Sequence, residues 1–129
     1  MRHSILIADD NVFVRKAIRT MLESHAGWQV CGEASNGNEA ISLAKKHAPD
    51  LIIMDFAMPV LDGLRASHEI SKAMPGVPIV LHTQHCFGAL IGQARKVGIK
   101  TVISKTETGE KLIPAVESLL AARGAAASA

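Results

Sequence analysis

Apolar residues in this chain follow two alternating rhythms. Short unbroken apolar runs recur at Ser4-Ile5-Leu6-Ile7-Ala8, Leu51-Ile52-Ile53-Met54, Ile79-Val80-Leu81-His82 and Thr101-Val102-Ile103, with a weaker one at Gln29-Val30-Cys31-Gly32-Glu33-Ala34. Runs of this length, rich in Ile and Val, read as strands buried on both faces. Between them the apolar residues recur at helical spacing. Val14, Ala17, Ile18, Met21 and Leu22 predict a helix from about Val12 to Ser24, ended by Ala26-Gly27. Ala40, Ile41, Leu43 and Ala44 predict a second, stopped near Pro49. Asp62-Gly63 opens a third through about Ala73, broken by Pro75-Gly76 and Pro78. Leu90, Ile91, Ala94 and Val97 mark a fourth, ended by Gly98. Leu112, Ile113, Val116, Leu119 and Leu120 mark the last, with Thr108 as its expected cap. Pro114 would lie at an awkward depth in that helix, so its first turn is expected to begin later.

Strand and helix alternate five times with short connections. That predicts an α/β fold: a flavodoxin-like, doubly wound, five-stranded parallel sheet with helices on both faces. The common order for such a sheet is 2-1-3-4-5, and ligands bind outside the C-terminal strand ends where the order reverses. The first and third strands would then be neighbours, about 4.8 Å apart. Asp9, Asp10 and Asp55 would share one cleft, with Thr83 and Lys105 ending the next two strands on the same rim. The same order separates Cys31 from Cys86 by three strand spacings of about 4.8 Å, beyond the ~7 Å reach of a disulfide. Both cysteines are expected to be reduced.

Composition narrows the picture. A chain of 129 residues, 48% hydrophobic, is of ordinary size for one domain. No apolar run approaches the ~20 residues of a membrane span, and the N-terminus shows no signal-peptide pattern, so a cytoplasmic protein without membrane contact is expected. The net charge of +2, interspersed signs, one Trp and no Tyr offer no basic stripe or stacking surface for nucleic acid. Residues 1–122 are expected to form the domain. The Ala/Gly/Ser-rich stretch 123–129 is expected to be the start of a linker or a disordered terminus.

The chemistry lies at the strand ends. Asp9, Asp10 and Asp55 bring three negative charges and Lys105 one positive, a net of −2 in a small volume. Carboxylates this close do not all stay ionised unaided. A hard divalent cation is the natural neutraliser, and Mg²⁺ binds through one or two carboxylates plus water and phosphate oxygens. Such a cleft suits phosphoryl transfer with an Asp as nucleophile. Each residue also has an ordinary reading: Asp9 and Asp10 as helix caps, Asp55 and Thr83 as strand ends, Lys105 as a solvated lysine. The six histidines show no paired metal-ligand spacing, and His82 with His85 reads as a solvated or packed pair. Trp28 falls at the opposite end of the sheet from the site.

Taken together, Ile7-Ala8-Asp9-Asp10, Met54-Asp55-Phe56-Ala57-Met58-Pro59 with Asp62-Gly63, Leu81-His82-Thr83 and Ser104-Lys105 resemble the receiver domain of two-component response regulators. The wording Cys31-Gly32-Glu33-Ala34-Ser35-Asn36-Gly37 is most similar to receivers that precede LuxR- or FixJ-type DNA-binding domains. The resemblance implies Asp55 as phospho-acceptor, Asp10 as direct Mg²⁺ ligand, Asp9 as its partner and Ala57 as a backbone-carbonyl ligand, with Mn²⁺ as an alternative ion. It implies Lys105 and the Thr83 hydroxyl as holders of phosphoryl oxygens. A sensor histidine kinase or histidine phosphotransfer protein would be the partner, docking on Asn11, Val12, Phe13, Arg15 and the loop after the fifth strand. The fourth helix, fifth strand and fifth helix would carry the output, with transcription as the expected target of regulation and a phosphorylation-dependent homodimer as a further expected partner. A receiver assists its own phosphorylation and dephosphorylation but is not an enzyme in the ordinary sense. Three positions depart from the family pattern: Val102 replaces the usual switch aromatic, Gln84 the usual small residue and Ala57 a frequent polar one. Ala57, Gln84 and His85 are therefore the residues expected to set phosphoryl lifetime. A stand-alone phosphorelay module is the nearest alternative. An Asp-nucleophile phosphatase would need a second acid at Ala57, and a flavin module would need a phosphate-binding first loop where Asp9-Asp10-Asn11 stands.

Overall fold

A computed structural model describes residues 2–84 and 88–128, the side chains through residue 124. His85 and Cys86 lie outside the described residues, so neither the lifetime role given to His85 nor the thiol state of Cys86 is addressed; Cys31 is a free thiol. Ten elements alternate: β1 His3–Ala8, α1 Val12–Glu23, β2 Trp28–Ala34, α2 Gly37–His47, β3 Leu51–Met54, α3 Gly63–Ala73, β4 Ile79–Thr83, α4 Gly88–Lys96, β5 Thr101–Ser104 and α5 Thr108–Ser128. The sheet is parallel with order β2-β1-β3-β4-β5.

The apolar runs have no polar face because the sheet has none. Successive residues of a strand point to opposite faces, so Ile5, Ile7, Leu51, Ile53, Val80 and Ile103 meet Ile18, Leu22, Leu112, Val116 and Leu120 of α1 and α5. Leu6, Ala8, Ile52, Met54, Ile79 and Leu81 meet Ala40, Ala44, Ala66, Ile70, Leu90 and Ala94 on the other face. All four residues of β3 are buried. Two cores thus hold the central strands, and the strand ends they fix become the site.

Local chemistry sets the helix starts. Asn11 accepts from the amides of Phe13 and Val14, Asn36 from Glu39, and Asp62 from Arg65. Glu39 reaches back to accept from the Ser35 amide and hydroxyl, closing a reciprocal cap. A Cβ on Gly63 would stand 2.0 Å from the Asp55 carbonyl oxygen, so only glycine lets α3 start against the end of β3.

Two expectations are corrected in α5. The helix begins at Thr108, not later, and encloses Pro114. Glu110, whose carbonyl would have bonded residue 114, is exposed and can be solvated, as is Pro114. Thr108 is the first helical residue, and its hydroxyl donates back to the Lys105 carbonyl instead of capping a helical amide. The α5 backbone runs on to Ser128. Alanine favours that helix, and Arg123 anchors it by donating to Asp50 and to the Pro49 carbonyl, both at 3.3 Å. No helix among the described residues is long and apolar enough to cross a membrane.

Candidate functional site

Three backbone hydrogen bonds gather the strand ends. The Asp55 amide donates to the Ala8 carbonyl at 2.8 Å, drawing the end of β3 beside that of β1. The Asp9 amide donates to Ala34 at 2.9 Å, and the Lys105 amide to the Thr83 carbonyl at 2.9 Å, which joins the ends of β5 and β4. One carboxylate oxygen each from Asp9, Asp10 and Asp55 falls within 4.8 Å of the others. Lys105 Nζ lies 2.8 Å from Asp9 Oδ2 and 3.4 Å from Asp55 Oδ1. The four charged side chains expected at one rim are therefore in one cluster.

Burial differs among them in a way that matters. Asp9 is 1% exposed and Asp55 5%, while Asp10 is open to solvent. Asp55 nevertheless lines a cavity of about 240 Å³ with Asp10, Asn11, Val14, Ala57, Gln84 and Lys105. Asp9 forms no part of that wall; it sits beneath, tied to Lys105 and accepting from the Asn11 amide. Burial first, then the Asp9 charge, pushes the Asp55 carboxyl up to about 6, against the opposing pull of Lys105. Burial draws the Lys105 ammonium down, but Asp9 and Asp55 outweigh it and hold it above its ordinary value. Lys105 is thus a firm cation, and Asp55 is ionised, though unwillingly, at neutral pH.

Three carboxylates, all with oxygen donors and only one nearby ammonium, fit a hard divalent cation. Asp10 presents the open ligand and Asp55 the half-hidden one. Ala57 is exposed on the cavity wall. A roomier hollow of about 300 Å³ beside Pro78, Gly98, Lys100 and Arg123 contains two cations and no acid, and lies at the opposite end of the sheet.

The remaining expected residues are placed differently. Thr83 is fully buried at the end of β4 and does not line the cavity. Gln84 is exposed at its mouth. Val102 is half-buried against the core on the α3–α4 side. Phe13 is 77% and Val12 41% exposed, and Asn11 spends its side-chain oxygen on the α1 cap. Arg15 is turned inward: it donates to the Asp9 carbonyl at 2.6 Å and to Glu33 at 3.0 Å, where Arg19 also binds. Sequence reasoning did not single out Val14 as a cavity wall, or the Arg15–Glu33 brace behind Asp9. The pairing of an Arg on the first helix with a Glu at the end of the second strand was the available signal.

A doubly wound sheet with an acidic, lysine-bearing pocket at its C-terminal rim is the architecture of receiver modules. The response regulator receiver domain family matches residues 5–117, and the chain belongs to that family. It is a receiver domain of two-component signalling. Among its relatives is the transcriptional regulatory protein PdtaR of Mycobacterium tuberculosis, 39% identical over 113 residues that make up 88% of this chain and 54% of that protein. The chemotaxis protein CheY of Bacillus subtilis is 33% identical over 93% of this chain and 99% of its own. In structure, a LuxR-family two-component response regulator from Aurantimonas sp. SI85-9A1 superposes with a TM-score of 0.90 at 28% identity, covering 95% of this chain and 88% of that one. LuxR-type regulators are thus among its homologues. The chain spans about half the length of relatives such as PdtaR.

Proposed function

We propose that this chain is a phospho-acceptor switch: Asp55 takes a phosphoryl group from the phosphohistidine of a kinase or phosphotransfer protein, or from a small phosphodonor. The observation that carries this is the Asp55 carboxylate lining a small cavity with Lys105 Nζ at 3.4 Å and two further acids beside it. An Asp55 oxygen attacks phosphorus, a P–O bond forms, and the donor's P–N bond breaks. The electron pair leaves on the imidazole, which takes a proton from solvent. Lys105 holds an equatorial oxygen of the transferring group as a compact point charge. Mg²⁺, held by Asp10, Asp55 and the Ala57 carbonyl with Asp9 behind, would neutralise the charge gathered there.

Phe13 and Val12, exposed on α1 beside the cavity, supply the apolar part of a kinase-docking surface. The output is a change of the α4–β5–α5 surface, and regulation of transcription in the cytoplasm is the use best matched by relatives such as PdtaR. Reading the chain as a signalling module, not an enzyme with its own substrate, rests on Ala57, which offers no second acid for rapid hydrolysis. The test is incubation with Mg²⁺ and acetyl phosphate followed by intact-mass measurement. One added phosphoryl group is expected, absent after chelation and absent in Asp55→Asn. Mass gain in Asp55→Asn would assign the acceptor elsewhere.

A further inference from the structure

The imidazole of His82 lies near the end of the apolar strand β4, 2% exposed, between Leu81 and Thr83. A buried polar ring is costly unless its nitrogens are paired. One is: Nε2 lies 2.7 Å from Thr108 Oγ1. The Thr108 hydroxyl donates its single proton to the Lys105 carbonyl at 3.1 Å. It can then only accept from His82, so Nε2 carries the ring proton and Nδ1 is a bare acceptor with no partner among the described residues. Burial, with Lys105 nearby, holds the imidazole down at about 4, so the ring is neutral at physiological pH and its hydrogen bonding does not change there.

The two ends of this chain of bonds meet at one residue. The Lys105 amide is already tied to the Thr83 carbonyl, and the Lys105 carbonyl is tied through Thr108 to His82. Both backbone polar groups of Lys105 are therefore fastened to the last two residues of β4. A leucine would fill the same strand position without stranding a nitrogen, so the ring is tolerated at a cost to stability. What it secures is the turn from which Lys105 reaches Asp55.

We infer that His82 and Thr108 are positioning residues, a buried clasp that fixes the Lys105 turn and thereby sets how fast Asp55 accepts phosphate. The inference rests on the proposed phospho-acceptor role of Asp55. A misplacement of about 1 Å can slow a positioned reaction up to about 100-fold. His82→Leu and Thr108→Val each keep an apolar shape and remove the clasp.

The test measures the rate of mass gain from acetyl phosphate at saturating Mg²⁺ for the parent, both single variants, the double variant and Thr108→Ser. Circular dichroism checks folding, and calorimetry measures Mg²⁺ affinity. Each single variant is expected to slow acceptance about tenfold while Mg²⁺ affinity stays within about twofold. The double variant is expected to be no slower than either single one, and Thr108→Ser to retain the parent's rate. Single variants that fold and react within about twofold of the parent overturn the clasp while leaving Asp55 as acceptor. Multiplying defects in the double variant, or a Thr108→Ser as slow as Thr108→Val, overturn it too. Should His82→Leu fail to fold, the Thr108 pair decides alone. A parent that takes up no phosphate removes the acceptor role itself and the clasp with it.

Discussion

Strand β3 carries an aspartate at each end, and the two are treated in opposite ways. Asp50, before the strand, is fully answered: it accepts from the Ser4 amide at 2.8 Å and hydroxyl at 3.3 Å, and from Arg123 at 3.3 Å, with His3 at 4.0 Å. Asp55, after it, is buried among like charges and shares one ammonium with Asp9. The first arrangement lowers the cost of a carboxylate by supplying donors. The second keeps the cost high and leaves the charge facing a cavity. An acid with complete partners holds the fold together; an acid denied them is available for chemistry.

Removing the shared cation should widen this difference most. Lys105→Met would leave Asp9 and Asp55 without their ammonium and slow phosphoryl acceptance by about 100-fold. It should also lower the melting temperature of the metal-free protein by the equivalent of roughly 3 kcal/mol, with much of the loss restored by Mg²⁺. A variant phosphorylated at the parent's rate would show that the lysine has no part in the transfer.

Removing the charge of Asp55 should have the reverse effect on stability. Its carboxyl is raised from 3.8 to about 6 in the fold, so the folded state binds the proton more tightly than the unfolded one. The stability this contributes is present in full below about pH 4 and is lost as pH rises through about 6. Asp55→Asn should therefore stabilise the metal-free protein by about 2 kcal/mol at pH 7, with the gain fading toward pH 4. Chemical denaturation at the two pH values checks it; an equal gain at both would place the cause outside this titration.

Asp50→Asn should separate stability from chemistry. It weakens a well-paired, one-third-exposed carboxylate and should cost about 1 kcal/mol in thermal unfolding. Acetyl phosphate uptake should be unchanged, and a slowed uptake would mean that the two ends of β3 are coupled. The smallest effect concerns Gln84 at the cavity mouth. If its side chain shields the phosphoryl group, Gln84→Ala should lose the label a few-fold faster. A time course no faster than the parent's removes that role.

Much of this was legible in the linear chain. Unbroken apolar runs marked the strands and the 3.6-residue rhythm the helices, because a sheet covered on both faces demands uninterrupted apolar runs such as Leu51–Met54. The alternation predicted a parallel sheet, and the order common to such sheets brought Asp9, Asp10, Asp55 and Lys105 to one rim. Side chains whose partners are far away in sequence were not legible. Arg15 reads as an exposed helical cation, yet it braces the Asp9 carbonyl against Glu33. Thr108 reads as a cap, yet its hydroxyl joins Lys105 to His82. Pro114 reads as an obstacle to the first turns of the last helix. It is overruled by α5, where one lost bond on an exposed side is outweighed by the packing of Leu112, Val116 and Leu120.

The order of residues by itself therefore determined the elements, their layering and which acids and which lysine meet, since these follow from repeating local patterns and the few connections a parallel sheet permits. Only the packed structure decided how charge is shared among them: Asp9 beneath and Asp55 at the cavity, Lys105 forked between the two, and a buried imidazole fastening its turn. Such choices depend on distances of a few tenths of an ångström across elements, where hydrogen-bond and Coulomb energies change steeply and no repeating pattern in the chain records them.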